Sequence, residues 1–285
     1  MTFEDLFALR AAGADRWAAP GPPDTDEPRL FGGLLLGHAI VAVSEATKPC
    51  HALHALFVGA GSKREPLDLA VTRTRDGRSY ATRHVELRQQ DRLLLVGFSS
   101  HHGGDDGPEH AIAMPDVPPP ETLEDQYLIR VRQCEARGIP PKRHLVEELL
   151  DIRPVELPLG TRGVEGRRAI WFRPRQPLSG DQTLHKAVIA FASDVGLVHV
   201  GLLAHIKLGD GARLQATSLD HSLWFHREAP ANDWMLHVQR SPIAAHGRGL
   251  SHAAIFTRAG QMVASAAQEF LARRKRDPQT PTREG

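Results

Sequence analysis

Hydrophobic and polar positions run through the same order twice along this chain. "FGGLLLGHAIVAVSEAT" (31–47) opens on paired glycines and from Leu34 is apolar on every side, the pattern of a helix buried all round. "HALHALFV" follows, then "PLDLAVTRTRDGRSYATRHVELRQQDRLLLVGFSS" (66–100). There apolar and polar residues alternate, and Asp76-Gly77 and Gln90-Asp91 mark turns, which predicts antiparallel strands. The second round begins at "TLHKAVIAFASDVGLV" (183–198), another buried helix. It continues as strands through "TSLDHSLWFHREA" (217–229), "WMLHVQRSP" (234–242) and "RGLSHAAIFTRAGQMVASAAQEFLA" (248–272).

The two rounds overlay. His54-Ala55-Leu56 falls on His221-Ser222-Leu223, and Ser99 falls on Gln268 when the final strands are aligned by their turns. A long helix followed by antiparallel strands, present twice, is an internal repeat. One such unit leaves a sheet edge open, and pairing two units joins their sheets and closes it. The expected division is an N-terminal repeat over 1–104, a linker over 105–165 and a C-terminal repeat over 166–285. A short helical start and a Pro-rich connector occupy the first 30 residues. The boundary at 104/105 falls within "HHGGDDGPEHAIAMPDVPPPETL" (101–123), which is rich in Gly, Pro and acid and reads as a linker; 121–150 is expected to be helical and 151–180 irregular.

One residue breaks the second helix pattern. Asp194 is the only formal charge between Lys186 and Lys207. A carboxylate in so apolar a stretch is either a cap for nearby backbone or a base whose pKa burial has raised.

Composition narrows the field. The chain has 285 residues, 41% hydrophobic and 24% charged, enough for a sizeable core without disulfides. Thirty-five basic residues nearly balance thirty-four acidic ones, so no nucleic-acid partner is expected. The basic "ARRKRD" cluster near the C-terminus reads as a solvated tail. Cys50 and Cys134 form no CxxC pair, which argues against a structural zinc or a disulfide framework. The apolar run at 188–204 approaches spanning length but holds Asp194, His199 and two glycines, so it reads as buried protein and no membrane span is expected. A cytoplasmic, reducing setting follows as the expectation.

Seven stretches carry a resemblance: "RLFGG" (29–33), "RDGRSYATRHV" (75–85), "MPDVPPPE" (114–121), "ASD" (192–194), "SLDHSLWFH" (218–226), "GRGL" (247–250) and "VASAAQE" (263–269). They span nearly the whole chain in order. Together they resemble the type II acyl-CoA thioesterases. That resemblance implies an α+β double hot-dog fold, in which each of two repeats wraps an antiparallel sheet around a long buried helix and the sheets merge into one. It implies hydrolysis of fatty acyl-CoA to free acid and CoA, a place in fatty acid metabolism, an acyl-CoA substrate, no cofactor, and association into a homo-oligomer. In that family an Asp, a Ser or Thr, and a Gln hold the attacking water; the matching positions are Asp194, Ser218 and Gln268. Leu34 and His38 depart from the pattern, since many relatives carry Gln at both.

The chemistry is consistent with those residue types. A carboxylate accepts the proton of an attacking water, and a hydroxyl and an amide fix that water's other hydrogen bonds. Backbone amides at a helix N-terminus suit an oxyanion, which makes Gly32 and Gly33 candidates at the start of the first helix. His221 and His226 are further candidate bases. No G-x-S-x-G elbow is present. His101, His102, Asp105, Asp106 and His110 are metal-ligand types, but the segment offers no fixed element to hold them, and no metal site is expected. Two alternatives stand. One is a non-catalytic acyl-CoA-binding protein on the same fold. The other is a hot-dog enoyl-CoA hydratase using Asp194 and His199, although five residues on a helix turn them about 140° apart.

Overall fold

The computed structural model describes residues 1–21, 30–46, 48–63, 65–155, 166–203, 205 and 214–274. The Pro-rich segment over 22–29 and the end of the chain after 274 lie outside them. A short helix α1 (Phe3–Phe7), closed by a Thr2–Asp5 capping box, precedes a hairpin of β1 (Arg10–Gly13) and β2 (Arg16–Ala19). The first repeat follows as α2 (Gly32–Val43), β3 (Cys50–Phe57), β4 (Leu67–Asp76), β5 (Tyr80–Gln89) and β6 (Arg92–His102). After it come α3 (Gln126–Glu135), α4 (Leu145–Leu149), β7 (Leu150–Pro154) and β8 (Arg167–Pro174). The second repeat has α5 (Gln182–Ser193), α6 (Leu197–Leu202), β9 (Leu214–Ser218), β10 (Asp220–Phe225), β11 (Met235–Ala245), β12 (Arg248–Thr257) and β13 (Met262–Arg274).

All thirteen described strands belong to one sheet, in the order β1-β2-β4-β5-β6-β3-β10-β13-β12-β11-β8-β7, with β9 also on β13. The repeats meet where β3 pairs antiparallel with β10, Leu53 opposite Leu223. This is the double hot-dog architecture: α2 and α5 lie side by side within the curl of the sheet, and one continuous core joins both helices to both halves. The helices run antiparallel. A Cβ on Gly33 would sit 2.3 Å from the Phe191 carbonyl oxygen, and one on Gly37 would sit 3.2 Å from that of Ala187. Glycine is needed at 33 because backbone, not a movable side chain, fills the space.

Three expectations change. The buried helix predicted over 183–198 stops at Ser193. Gly196 takes a left-handed φ of +86° and breaks it, and Gln239 Nε2 donates to the freed Val195 carbonyl at 2.7 Å. Asp194 therefore sits in a turn between two helices. The 21-residue stretch Gln182–Leu202 is long and apolar enough to cross a bilayer, yet it is mostly buried inside the fold. The region expected to be irregular over 151–180 contains β7 and β8, and β8 was hidden because both its faces are covered. Ile170 and Phe172 face the main core, while Ala169 and Trp171 face a second cluster that Met114, Val117 and Leu123 cover from outside. A strand buried on both faces shows no alternation. The stretch expected as a linker thus drapes over the outer face of the second half, where Trp171 Nε1 donates to the Pro118 carbonyl at 2.9 Å, and it supplies the edge strand β7.

The contact between α2 and α5 gives a direct prediction. Gly33→Ala should destabilise the protein by about 1–3 kcal/mol, the usual cost of overpacking. Urea or thermal unfolding measures it, and an unchanged midpoint would show that the helices are not held at this contact.

Candidate active site at the junction of the two helices

The N-terminus of α2 has no cap of its own, because its N-cap residue Phe31 makes no side-chain hydrogen bond. The cap comes from the other repeat. Gly33 N–H donates to Asp194 Oδ2 at 2.8 Å, across 161 residues of sequence. An aspartate oxygen bonded to the second amide of a helix is the ordinary capping geometry, and the positive end of the helix dipole favours its charge. Asp194 is only 7% exposed. Burial pushes its pKa up, while His221, the Gly33 amide, Gln268 and Ser218 each pull it back.

Three segments converge on this carboxyl. Gln268 on β13 is fully buried, and its Nε2 donates to Ser218 Oγ at 2.9 Å. Gln268 Oε1 lies 2.6 Å from His221 Nδ1. Ser193, the last residue of α5, stands 2.9 Å from His221 Nε2 and also bonds the Ala190 carbonyl. Residues three apart on an unbroken strand point to opposite faces. Leu219 interrupts the strand between β9 and β10, so Ser218 and His221 both reach Gln268. The Leu219 amide is held by the Glu269 carbonyl at 2.9 Å and its carbonyl by the Phe57 amide at 2.9 Å, which fixes the break.

The structure thus brings together Asp194, Ser218 and Gln268. It places Gly32 beside them: a Cβ there would meet Asp194 Oδ2 at 2.8 Å and the Phe57 ring at 3.0 Å. The amide of Gly33, the other glycine expected to face an oxyanion, donates to Asp194. His226 is exposed and bonded to Ser265 Oγ at 2.8 Å, and His199 is exposed on α6; neither joins the cluster. Burial raises the Cys50 thiol to about 12, far from a thiolate nucleophile. His38 is buried against Phe7 with its pKa lowered to about 4, and its Nδ1 finds no hydrogen-bond partner among the described residues. Of the candidate metal ligands, His101 is buried with Ser99 and the Lys48 carbonyl, whereas His102 pairs with exposed Asp105. No group of three such side chains gathers among the described residues.

The repeat overlay also shifts. The buried pairs 94–95 and 263–264 mark matching bulges, so Ser99 does match Gln268. Leu53 lies opposite Ser99, and it is therefore Leu53, not His54, that occupies the place of His221. His54 faces outward, 3.0 Å from Ser222 Oγ. A one-residue slip in a strand exchanges faces. That slip hid His221 as a buried partner of Gln268.

A curled sheet around paired helices defines a double hot-dog protein, and a buried carboxylate, a half-buried hydroxyl and a buried amide gather where its repeats meet. Models of the acyl-CoA thioesterase N-terminal and C-terminal domains match residues 20–102 and 108–272, and the chain belongs to the acyl-CoA thioesterase family. Human acyl-coenzyme A thioesterase 8 is 34% identical over 261 residues, covering 87% of this chain and 81% of that protein. Acyl-CoA thioesterase 2 of Haemophilus influenzae is 27% identical over 86% of this chain and 88% of its own length. The crystal structure of the acyl-CoA thioesterase II TesB2 from Mycobacterium marinum superposes with a TM-score of 0.77 at 32% identity, covering 96% of this chain and 98% of that one. The protein is a thioester hydrolase acting on acyl-CoA.

The raised pKa of Asp194 has a consequence for stability. Its carboxyl holds a proton more tightly in the folded chain than in the unfolded one. Stability is therefore fullest below the ordinary carboxylate pKa and is lost as pH rises through the raised value. Asp194→Asn keeps an oxygen for the Gly33 amide and removes the buried charge. It should raise the unfolding temperature at pH 7, with the gain shrinking as pH falls toward about 4 and gone below it. A lower unfolding temperature at pH 7 would show that the ionised carboxylate is net stabilising.

Proposed function

We propose that the protein hydrolyses medium- or long-chain fatty acyl-CoA to free fatty acid and CoA, with one active centre per chain at Asp194, Ser218 and Gln268. The convergence of these three side chains, from the turn after α5, from β9 and from β13, on the N-terminus of α2 is the observation that carries this reading. A water held by the Ser218 hydroxyl and the Gln268 amide attacks the thioester carbonyl carbon. Asp194 takes its proton as the new C–O bond forms. The oxyanion develops beside the positive end of α2, where Gly32 offers the first amide of the helix. As the C–S bond breaks, the proton held on Asp194 passes to the departing CoA sulfur. No cofactor enters the scheme.

The first repeat supports a single centre. Ser44 ends α2 where Asp194 ends α5, and Leu53 and Ser99 stand in place of His221 and Gln268. A reducing, cytoplasmic setting is the reading that two unpaired cysteines, one of them buried, support. Association into a homo-oligomer belongs to the same proposal. Leu56 and Phe98, 57% and 51% exposed, lie diagonally across β3 and β6 on the outer face of the sheet, and sedimentation of the purified chain tests it.

Purified protein should release free thiol from an acyl-CoA panel, with the acid limb of kcat/KM above the ordinary Asp value of about 3.9. Asp194→Asn should lower kcat by roughly 100-fold or more, the scale of a lost general base. Gln268→Ala should also cut turnover, Ser218→Thr should keep it, and Ser99→Ala should change it by no more than about threefold. Thiol release that survives Asp194→Asn in a folded variant would overturn the assignment. A large loss in Ser99→Ala would overturn the single centre.

A further inference from the structure

His221 is fully buried and lies between two groups that belong to different elements. Its Nδ1 is 2.6 Å from Gln268 Oε1 on β13, and its Nε2 is 2.9 Å from Ser193 Oγ at the end of α5. Asp194 is the next residue after Ser193. The ring therefore spans from the segment that carries the carboxylate to the amide that faces it. We propose that His221 is a positioning residue for the hydrolysis, whose Nδ1–H holds Gln268 with both amide protons turned toward Ser218 and Asp194. This rests on the reading of Asp194, Ser218 and Gln268 as the group that holds the water.

Electrostatics selects the arrangement. Burial lowers the His221 pKa, against the opposing pull of Asp194, Gln268 and Asp220, so the ring is neutral with one N–H. Two neutral arrangements satisfy the distances. In the first, Nδ1–H donates to Gln268 Oε1, Gln268 presents its NH2 to the site, and Nε2 accepts the single Ser193 hydroxyl proton, which in exchange leaves the Ala190 carbonyl. In the second, Nδ1 is bare and accepts from the amide nitrogen, which turns the amide carbonyl oxygen toward Ser218 and Asp194. That oxygen would face a carboxylate in a buried site, where repulsion is strongest. The ionised Asp194 that accepts the water's proton thus requires the first. The charged and titratable neighbours of the ring are Asp194, Asp220 and His237, and none supplies a donor to Gln268 in its stead. The first repeat fits this coupling: the position matching Gln268 is Ser99, and the position matching His221 is Leu53, which has no hydrogen bond to give.

Two measurements test this. In the unaltered protein at neutral pH, nitrogen NMR of 15N-histidine should show His221 protonated at Nδ1 and bare at Nε2. The opposite tautomer would overturn the proposal whatever the variants do. In kinetics, His221→Leu should lower kcat by about 100-fold, the scale of a misplaced catalytic group, with KM nearly unchanged. Its acid limb should move to higher pH, because Gln268 is freed to turn its oxygen to Asp194. His221→Asn, whose amide N–H stands near the place of Nδ1–H, should recover most of the loss. A folded His221→Leu with kcat and acid limb unmoved, or an Asn variant no better than Leu, would also overturn it. Failure of the underlying reading registers separately, as undiminished turnover in Asp194→Asn.

Discussion

The hydrogen bond from the Gly33 amide to the Asp194 carboxylate is the constraint on which the rest of the site depends. It is a helix cap supplied across the repeat boundary. α2 begins without a cap of its own, and α5 ends in a carboxylate that has nowhere polar to go. Antiparallel packing of the two helices places each need against the other. Gly33 allows that approach because its missing side chain leaves room for the Phe191 carbonyl. The buried charge is thereby paired with a helix dipole, which reduces the cost of keeping it ionised without removing it.

That residual cost is what makes the carboxylate useful. A fully solvated aspartate is a weak base, and a fully neutralised one is weaker still. Asp194 sits between these limits, raised by burial and drawn back by the Gly33 amide, His221, Gln268 and Ser218. A stability loss at neutral pH and a stronger base are two readings of one shift. The first repeat shows the same framework without this tension. Ser44, Leu53 and Ser99 hold the matching positions with no carboxylate among them, and the buried charge beside Ser99 is Arg83, which pairs with Asp76 at the end of β4.

Much of the fold was legible because its signals are periodic. Two all-round apolar helices and two sets of alternating strands announced the repeat, and Asp194, Ser218 and Gln268 could be matched from short strings in order. Where both faces of a strand are covered, as in β8, alternation vanishes, and the strand was taken for irregular chain. Where an edge hairpin such as β1–β2 is largely exposed, little pattern exists to read. The one-residue error that matched His54 with His221 came from aligning letters without the registers that decide which face each residue takes.

By itself, then, the sequence determined the repeat and the buried helices, because hydrophobic period and local turn chemistry are properties of neighbours in the chain, while Asp194, Ser218 and Gln268 came from the resemblance of short strings to a known family. Only the tertiary structure decided that Asp194 leaves the helix at Gly196, that it caps α2 and so occupies the Gly33 amide, and that the break at Leu219 lets Ser218 and His221 share Gln268. Those contacts join residues 47 to 161 positions apart. Their geometry is set by how closely two helices pack and by which strand lies beside which, quantities that no local pattern of residues encodes.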